Sequence, residues 1–117
     1  MQVAAGPVTK TIAAINIALA VLVLIPGLYA PVTVAGALIP ARFSLGDGVF
    51  GEVGYMLPVW LTPLSSAFLH GGIMHVALNM LMLLMVGANL ERLLGGKSFA
   101  ILYGAGIICA AIAEFAA

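Results

Sequence analysis

Charge is what this sequence most lacks: four basic and four acidic residues make up only 7% of its 117 residues. Soluble domains carry about 25%, and so few charged side chains cannot cover the surface of a protein this size. A soluble globular fold is thereby excluded. The charges cancel to a net of zero, which leaves no basic footprint for nucleic acid or anionic lipid. A single cysteine, Cys109, rules out an internal disulfide and a multi-cysteine metal site. Disorder is excluded by what is abundant, because 64% of the residues are hydrophobic and the mean hydropathy is +1.25. What remains is an all-α integral membrane protein.

About 20 helical residues cross a hydrocarbon core about 30 Å thick. Three segments are apolar enough to do so: 11–30, 73–91 and 98–117, the last with Glu114 at the far interface. The predicted architecture is a multi-pass bundle of three transmembrane helices, with residues 1–10 as a tail and 92–97 as a turn. Helix links are typically about 2–8 residues, so the connection 31–72 is long, and it is too apolar for a solvated loop. The runs 56–61 and 67–69 need an apolar setting, and Tyr55 and Trp60 suit the headgroup level. The first loop is therefore expected to lie half-submerged. Lys10, Arg92 and Lys97 fall on one side and only Arg42 on the other, which predicts a cytoplasmic amino terminus. A rival reading takes Lys10, the following apolar run and Ala35-Gly36-Ala37 as a cleaved signal peptide.

In so apolar a chain the informative residues are the polar ones within or beside spans, because each is costly there. His70, His75 and Asn79 come close together, and His75 and Asn79, four apart, share a helix face. Two converging neutral donors suit a carbonyl oxygen that becomes negative during reaction. They equally suit hydrogen bonds that hold neighbouring helices together. A metal or haem is not expected: His70 and His75, five apart, do not share a face of a continuous helix, and no third ligand is near. Ser66 and His70, four apart, could form a local nucleophile–base pair if helical, or be no more than solvated neighbours.

The turn after the second span carries Gly87, Glu91, Arg92 and Gly95. Glu91 lies near the helix's negative end, where a carboxylate is disfavoured, so it needs donors; the free N–H groups of the following glycine turn are the expected ones. Its role is structural on this reading, with Arg92 satisfying terminal carbonyls or lipid headgroups. The third span shows Ala105, Gly106, Cys109, Ala110 and Ala113 as a small-residue packing face. Cys109 reads as one more small residue there, and Glu114 as an acid at a wet helix end. The methionines read as lipid-facing or core filling.

The stretch Leu69-His70-Gly71-Gly72-Ile73-Met74-His75-Val76-Ala77-Leu78-Asn79-Met80 resembles the rhomboid family of intramembrane serine proteases. The family's second helix opens with such a histidine–glycine turn and carries a histidine–xxx–asparagine motif, here His75-xxx-Asn79. The turn Gly87-xxx-Glu91-xxx-Gly95 with Arg92 is similar to the family's next connection. The resemblance covers about residues 59 to 103. It implies part of a six-helix fold in which His75 and Asn79 stabilise the oxyanion while a substrate's transmembrane segment is cleaved. His70 would support them, and Gly87, Glu91, Arg92 and Gly95 would be structural. The bilayer and transmembrane-segment substrates are the implied partners, with no cofactor, no metal and no nucleic acid.

Two departures stand out. The family's nucleophile is a serine in a glycine–x–serine–glycine turn on its fourth helix, and its base is a histidine on its sixth. Ser44, Ser65, Ser66 and Ser98 lack that setting, and both histidines belong to the second-helix motif. Trp60-Leu61 also stands where many members have tryptophan–arginine. The expectation is a rhomboid protease fragment that cannot hydrolyse peptides by itself. The alternatives are a non-catalytic rhomboid-like protein that binds transmembrane helices, and an unrelated three-span structural protein.

Overall fold

The computed structural model describes residues 4–50 and 54–117; residues 1–3 of the expected tail and 51–53 of the expected loop lie outside the described residues. The described chain is all-helical. In order come α1 (Pro7–Leu22), α2 (Tyr29–Gly36), α3 (Ala41–Leu45), a 3₁₀ turn (Asp47–Phe50), a second 3₁₀ turn (Val59–Leu61) and α4 (Thr62–Ser66). Then follow α5 (Ile73–Met82), a π turn (Leu83–Gly87), α6 (Ala88–Leu94) and α7 (Gly96–Ala116). From α5 to α6 the chain is one uninterrupted rod, Ile73–Leu94.

The helix ends differ from those expected of the sequence. Pro7 occupies the first turn of α1, where its missing N–H costs nothing, so helix begins before residue 11. It stops at Leu22, because Pro26 has no N–H to give the Leu22 carbonyl four residues back, and Gly27 takes a φ of +85°. Segment 11–30 is thus not one continuous helix. The rod continues past residue 91 to Leu94, and α7 starts at Gly96, so the expected turn 92–97 shrinks to Gly95. Gly95 makes this possible with a φ of +80° that an L side chain rarely adopts, while its N–H bonds the Glu91 carbonyl at 2.9 Å.

Length decides which helices can cross a bilayer. The 22-residue rod and 21-residue α7 rise about 33 and 31 Å, enough for a core about 30 Å thick. The 16 residues of α1 rise only about 24 Å. Among the described residues, two helices are therefore long and apolar enough to span. Their sides expose Ile73, Met74, Leu78, Leu81, Met82, Met85, Ile101, Ile108 and Ile112, an apolar surface that belongs in lipid rather than water.

The core forms where α1, the rod and α7 meet, from Ile12, Ala13, Met80, Leu83 and Phe99. Gly87 makes this contact close: a Cβ there would lie 3.0 Å from the Leu83 Cδ1 and 3.2 Å from the Phe99 ring. The carboxylate of buried Glu91 accepts hydrogen bonds from the backbone N–H of Val8 at 2.9 Å and of Thr9 at 2.8 Å. This corrects the expectation that the glycine turn supplies its donors. The first amides of α1 have no side-chain cap of their own and carry the positive end of the helix dipole, so a carboxylate brought by another helix satisfies both. Gly6 is required beside it, since any Cβ there would run into the Glu91 carboxylate. Arg92 is exposed, and its side chain makes no hydrogen bond among the described residues.

The first loop is tied to itself and then to α7. Arg42, only 2% exposed, donates from Nε to Asp47 at 2.6 Å and from Nη2 to the Leu57 carbonyl at 2.7 Å. The Leu57 N–H in turn bonds the Ala35 carbonyl, and the Ser65 hydroxyl donates to the Gly36 carbonyl at 2.7 Å. Phe43 packs edge-on against Phe115 of α7, with ring centroids 4.9 Å apart, and α4 also contacts α7. The expected small-residue stripe Ala105, Gly106, Cys109, Ala110 and Ala113 faces outward.

Two outcomes follow. Glu91→Ala should speed hydrogen exchange at the Val8 and Thr9 amides, with Gly6→Ala giving the same pattern by displacing the carboxylate. Arg42 holds the Asp47 carboxyl below the usual carboxylate range, so the tie is present above that range and lost as pH falls through the depressed value. Fluorescence of the single tryptophan, Trp60, should report an acid transition of the loop that Asp47→Asn abolishes.

Candidate functional site

The Glu91 cap places Lys10, Arg92 and Lys97 near one end of the bundle, while Arg42 sits in the loop docked at the other end of α7. The polar cluster singled out in the sequence lies at that loop end. Gly71 and Gly72 lead into α5, and the glycine side of the turn is open: a Cβ at either would meet nothing within 4 Å. His75 and Asn79 then occupy the first two turns of α5, with Asn79 about 9 Å along the axis from Ile73.

The structure adds a contact that spacing along the helix does not give. Asn79 Nδ2 lies 2.9 Å from Nε2 of His70. His75, exposed, stands edge-on to His70 with ring centroids 5.0 Å apart and planes at 78°. The chain turns back at Gly71-Gly72, so a histidine outside the helix reaches over the first turn to a residue inside it. Spacing along a helix could not reveal this contact, because His70 is not on the helix. Ser66 donates to the Pro63 carbonyl at 3.3 Å rather than to His70, so the local nucleophile–base pair does not form.

Partial burial of His70 pushes its pKa below the ordinary histidine value, and His75 beside it adds to the fall; the nearby Phe68 carbonyl opposes both. Nδ1 of His70 is buried and lacks a hydrogen-bond partner of good geometry among the described residues. Beside the ring a cavity of about 350 Å³ opens between the end of α1, α2 and the start of α5. Its walls are almost wholly apolar, with Leu24, Phe68, Leu69 and Val76 among them and Tyr29 and Thr33 at the α2 side.

No group of three or more histidine, cysteine or acidic side chains that could hold a metal occurs among the described residues. The serines are committed elsewhere: Ser44, Ser65 and Ser66 donate to main-chain carbonyls, and no serine–histidine hydrogen bond occurs among the described residues. Sequence reasoning missed Arg42 as the tie of the first loop. The signal for it was a lone arginine five residues before an aspartate in a stretch otherwise almost free of charge. It also passed over Asn16, which is fully buried, with Nδ2 donating to the Ile12 carbonyl at 2.8 Å and Oδ1 unpartnered among the described residues.

In comparison with known proteins, a family model described as Rhomboid domain matches residues 58–117. No curated protein and no solved structure matches the chain. The matched span contains the whole cluster, the rod and α7, together with the Glu91 carboxylate that caps α1.

Because His75 is exposed and touches His70 only by its edge, His75→Ala should change folding stability by no more than about 0.5 kcal/mol. It should also raise the His70 titration midpoint, followed by ring resonances in NMR, since one of the two causes of its fall is removed.

Proposed function

The chain belongs to the rhomboid family, and from that premise we propose that it supplies the oxyanion-stabilising half of an intramembrane serine protease site. The observation that carries this reading is the group His70, His75 and Asn79, gathered at the loop end of a helix long enough to span the bilayer. A peptide carbonyl under attack develops negative charge on its oxygen. Neutral N–H donors already fixed in a site of low polarity stabilise that charge without having to reorganise. Asn79 offers an amide N–H and His75 a ring N–H, each free of other side-chain hydrogen bonds to a described residue apart from the Asn79–His70 contact.

The reaction also needs a nucleophile and a base. Neither is formed by the serines and histidines described above, and on this proposal they come from further helices of the same protein. The substrate class is a transmembrane segment of another membrane protein, reached from within the bilayer. In this arrangement α1 and the turn that follows it make a third crossing, and the end bearing Lys10, Arg92 and Lys97 is cytoplasmic. The first loop then lies at the opposite face, tied within itself through Arg42 and Ser65.

The lack of a serine–histidine contact among the described residues favours one second reading, a rhomboid-like protein that binds transmembrane helices without cutting them. Cleavage of a transmembrane-segment substrate by the purified full-length protein separates the two. On the protease reading, His75→Ala and Asn79→Ala each lower kcat by about 10²–10³-fold with little change in KM. Binding of the segment with no cleavage by the unaltered protein would leave the helix-binding reading standing instead.

A further inference from the structure

A carboxamide side chain has a donor end and an acceptor end, and only the donor end can stabilise an oxyanion. For Asn79 to serve in the proposed site, something must fix which end faces it. The single side-chain hydrogen bond Asn79 makes among the described residues is to His70. Its Nδ2 carries two hydrogens and no usable lone pair, so Nε2 of His70 must be the acceptor. The neutral ring then carries its proton on Nδ1.

We propose that His70 is a positioning residue that orients the Asn79 amide: by accepting one Nδ2 hydrogen it points the nitrogen at the histidine pair and leaves the second N–H to donate to the reacting carbonyl. This deepens the oxyanion reading and rests on it. The orientation depends on His70 being neutral. A proton added at Nε2 would set a donor against a donor; the amide would turn to offer Oδ1 to the imidazolium, and its nitrogen would leave the site. Partial burial and the neighbouring His75 keep the ring neutral down to a lower pH than an ordinary histidine. Among the described residues, the titratable groups that face it are His75, edge-on at 5.0 Å between centroids, and Tyr29 across the cavity, and no charged one lines that cavity.

The tautomer can be read without substrate. In full-length protein with ¹⁵N-labelled histidine, the His70 Nε2 should be unprotonated and Nδ1 protonated at neutral pH, and Asn79→Ala should shift the Nε2 resonance. A proton on Nε2 overturns the inference. In the cleavage assay His70→Leu should lower kcat roughly tenfold with KM unchanged. His70→Gln, whose side-chain oxygen can still accept from Asn79, should keep most of the rate but lose the acid limb that follows the His70 midpoint. Equal rates for the leucine variant and the wild type overturn the inference, as does a glutamine variant that retains that limb. Circular dichroism of each variant checks folding, and the glutamine variant carries the test if the leucine one unfolds. Failure of the oxyanion reading has a different signature: Asn79→Ala cleaves normally while the ring tautomer is as expected.

Discussion

One buried carboxylate sets the frame of this structure. Glu91 comes from the last turns of the rod, where the dipole of its own helix disfavours it, and finds two main-chain donors at the opposite kind of helix end. Nothing in α1 caps those amides from within. The contact therefore removes two problems at once, an unpaired buried charge and unsatisfied N–H groups. It is possible only because Gly6 carries no side chain: a Cβ there would run into the Glu91 carboxylate. Once it is made, the start of α1 is locked to the corner between α6 and α7, and α1 has to lie along the rod.

That lock determines where the polar cluster can sit. With one end of the bundle closed by the cap, the rod's other end carries the glycine turn, the two histidines and the cavity beside them. The first loop reaches the same end by a different device. It is built on a buried arginine whose donors go to Asp47 and the Leu57 carbonyl, and it is pinned to α7 through Phe43 and Phe115. A loop of this length would otherwise carry a large ordering cost. Bonds between residues far apart in the loop, such as Leu57 with Ala35 and Ser65 with Gly36, divide it into shorter closed pieces.

The site itself is governed by the scarcity of charge around it. Desolvation and a second imidazole act in the same direction on His70, favouring the neutral ring. A neutral acceptor is what an asparagine donor requires, so the electrostatics and the hydrogen bond are mutually consistent. The same apolar surroundings that hold the histidine neutral make any unpaired donor beside it more effective toward developing negative charge.

Composition alone determined that this is a helical membrane protein, because eight charges cannot clothe a soluble surface. The helix-forming stretches after Gly72 and Ser98 were legible for the same reason: long apolar runs without proline have no other stable form in lipid. The family, too, was legible from residues 69–95, where His70, His75, Asn79, Glu91 and Gly95 occur in order. What the sequence could not contain was any contact between residues distant along the chain. Helical spacing put Asn79 on one face with His75, since four residues make about one turn, but the hydrogen bond from Asn79 to His70 arises only because the chain doubles back at Gly71-Gly72. Local logic gave Glu91 the amides next to it, and packing gave it those of α1, more than eighty residues away. Arg42 looked like a side marker and is the buried tie of the loop. In each case the residue type was decided by chemistry written in the sequence, and the partner by which surfaces the folded chain brought within hydrogen-bond reach.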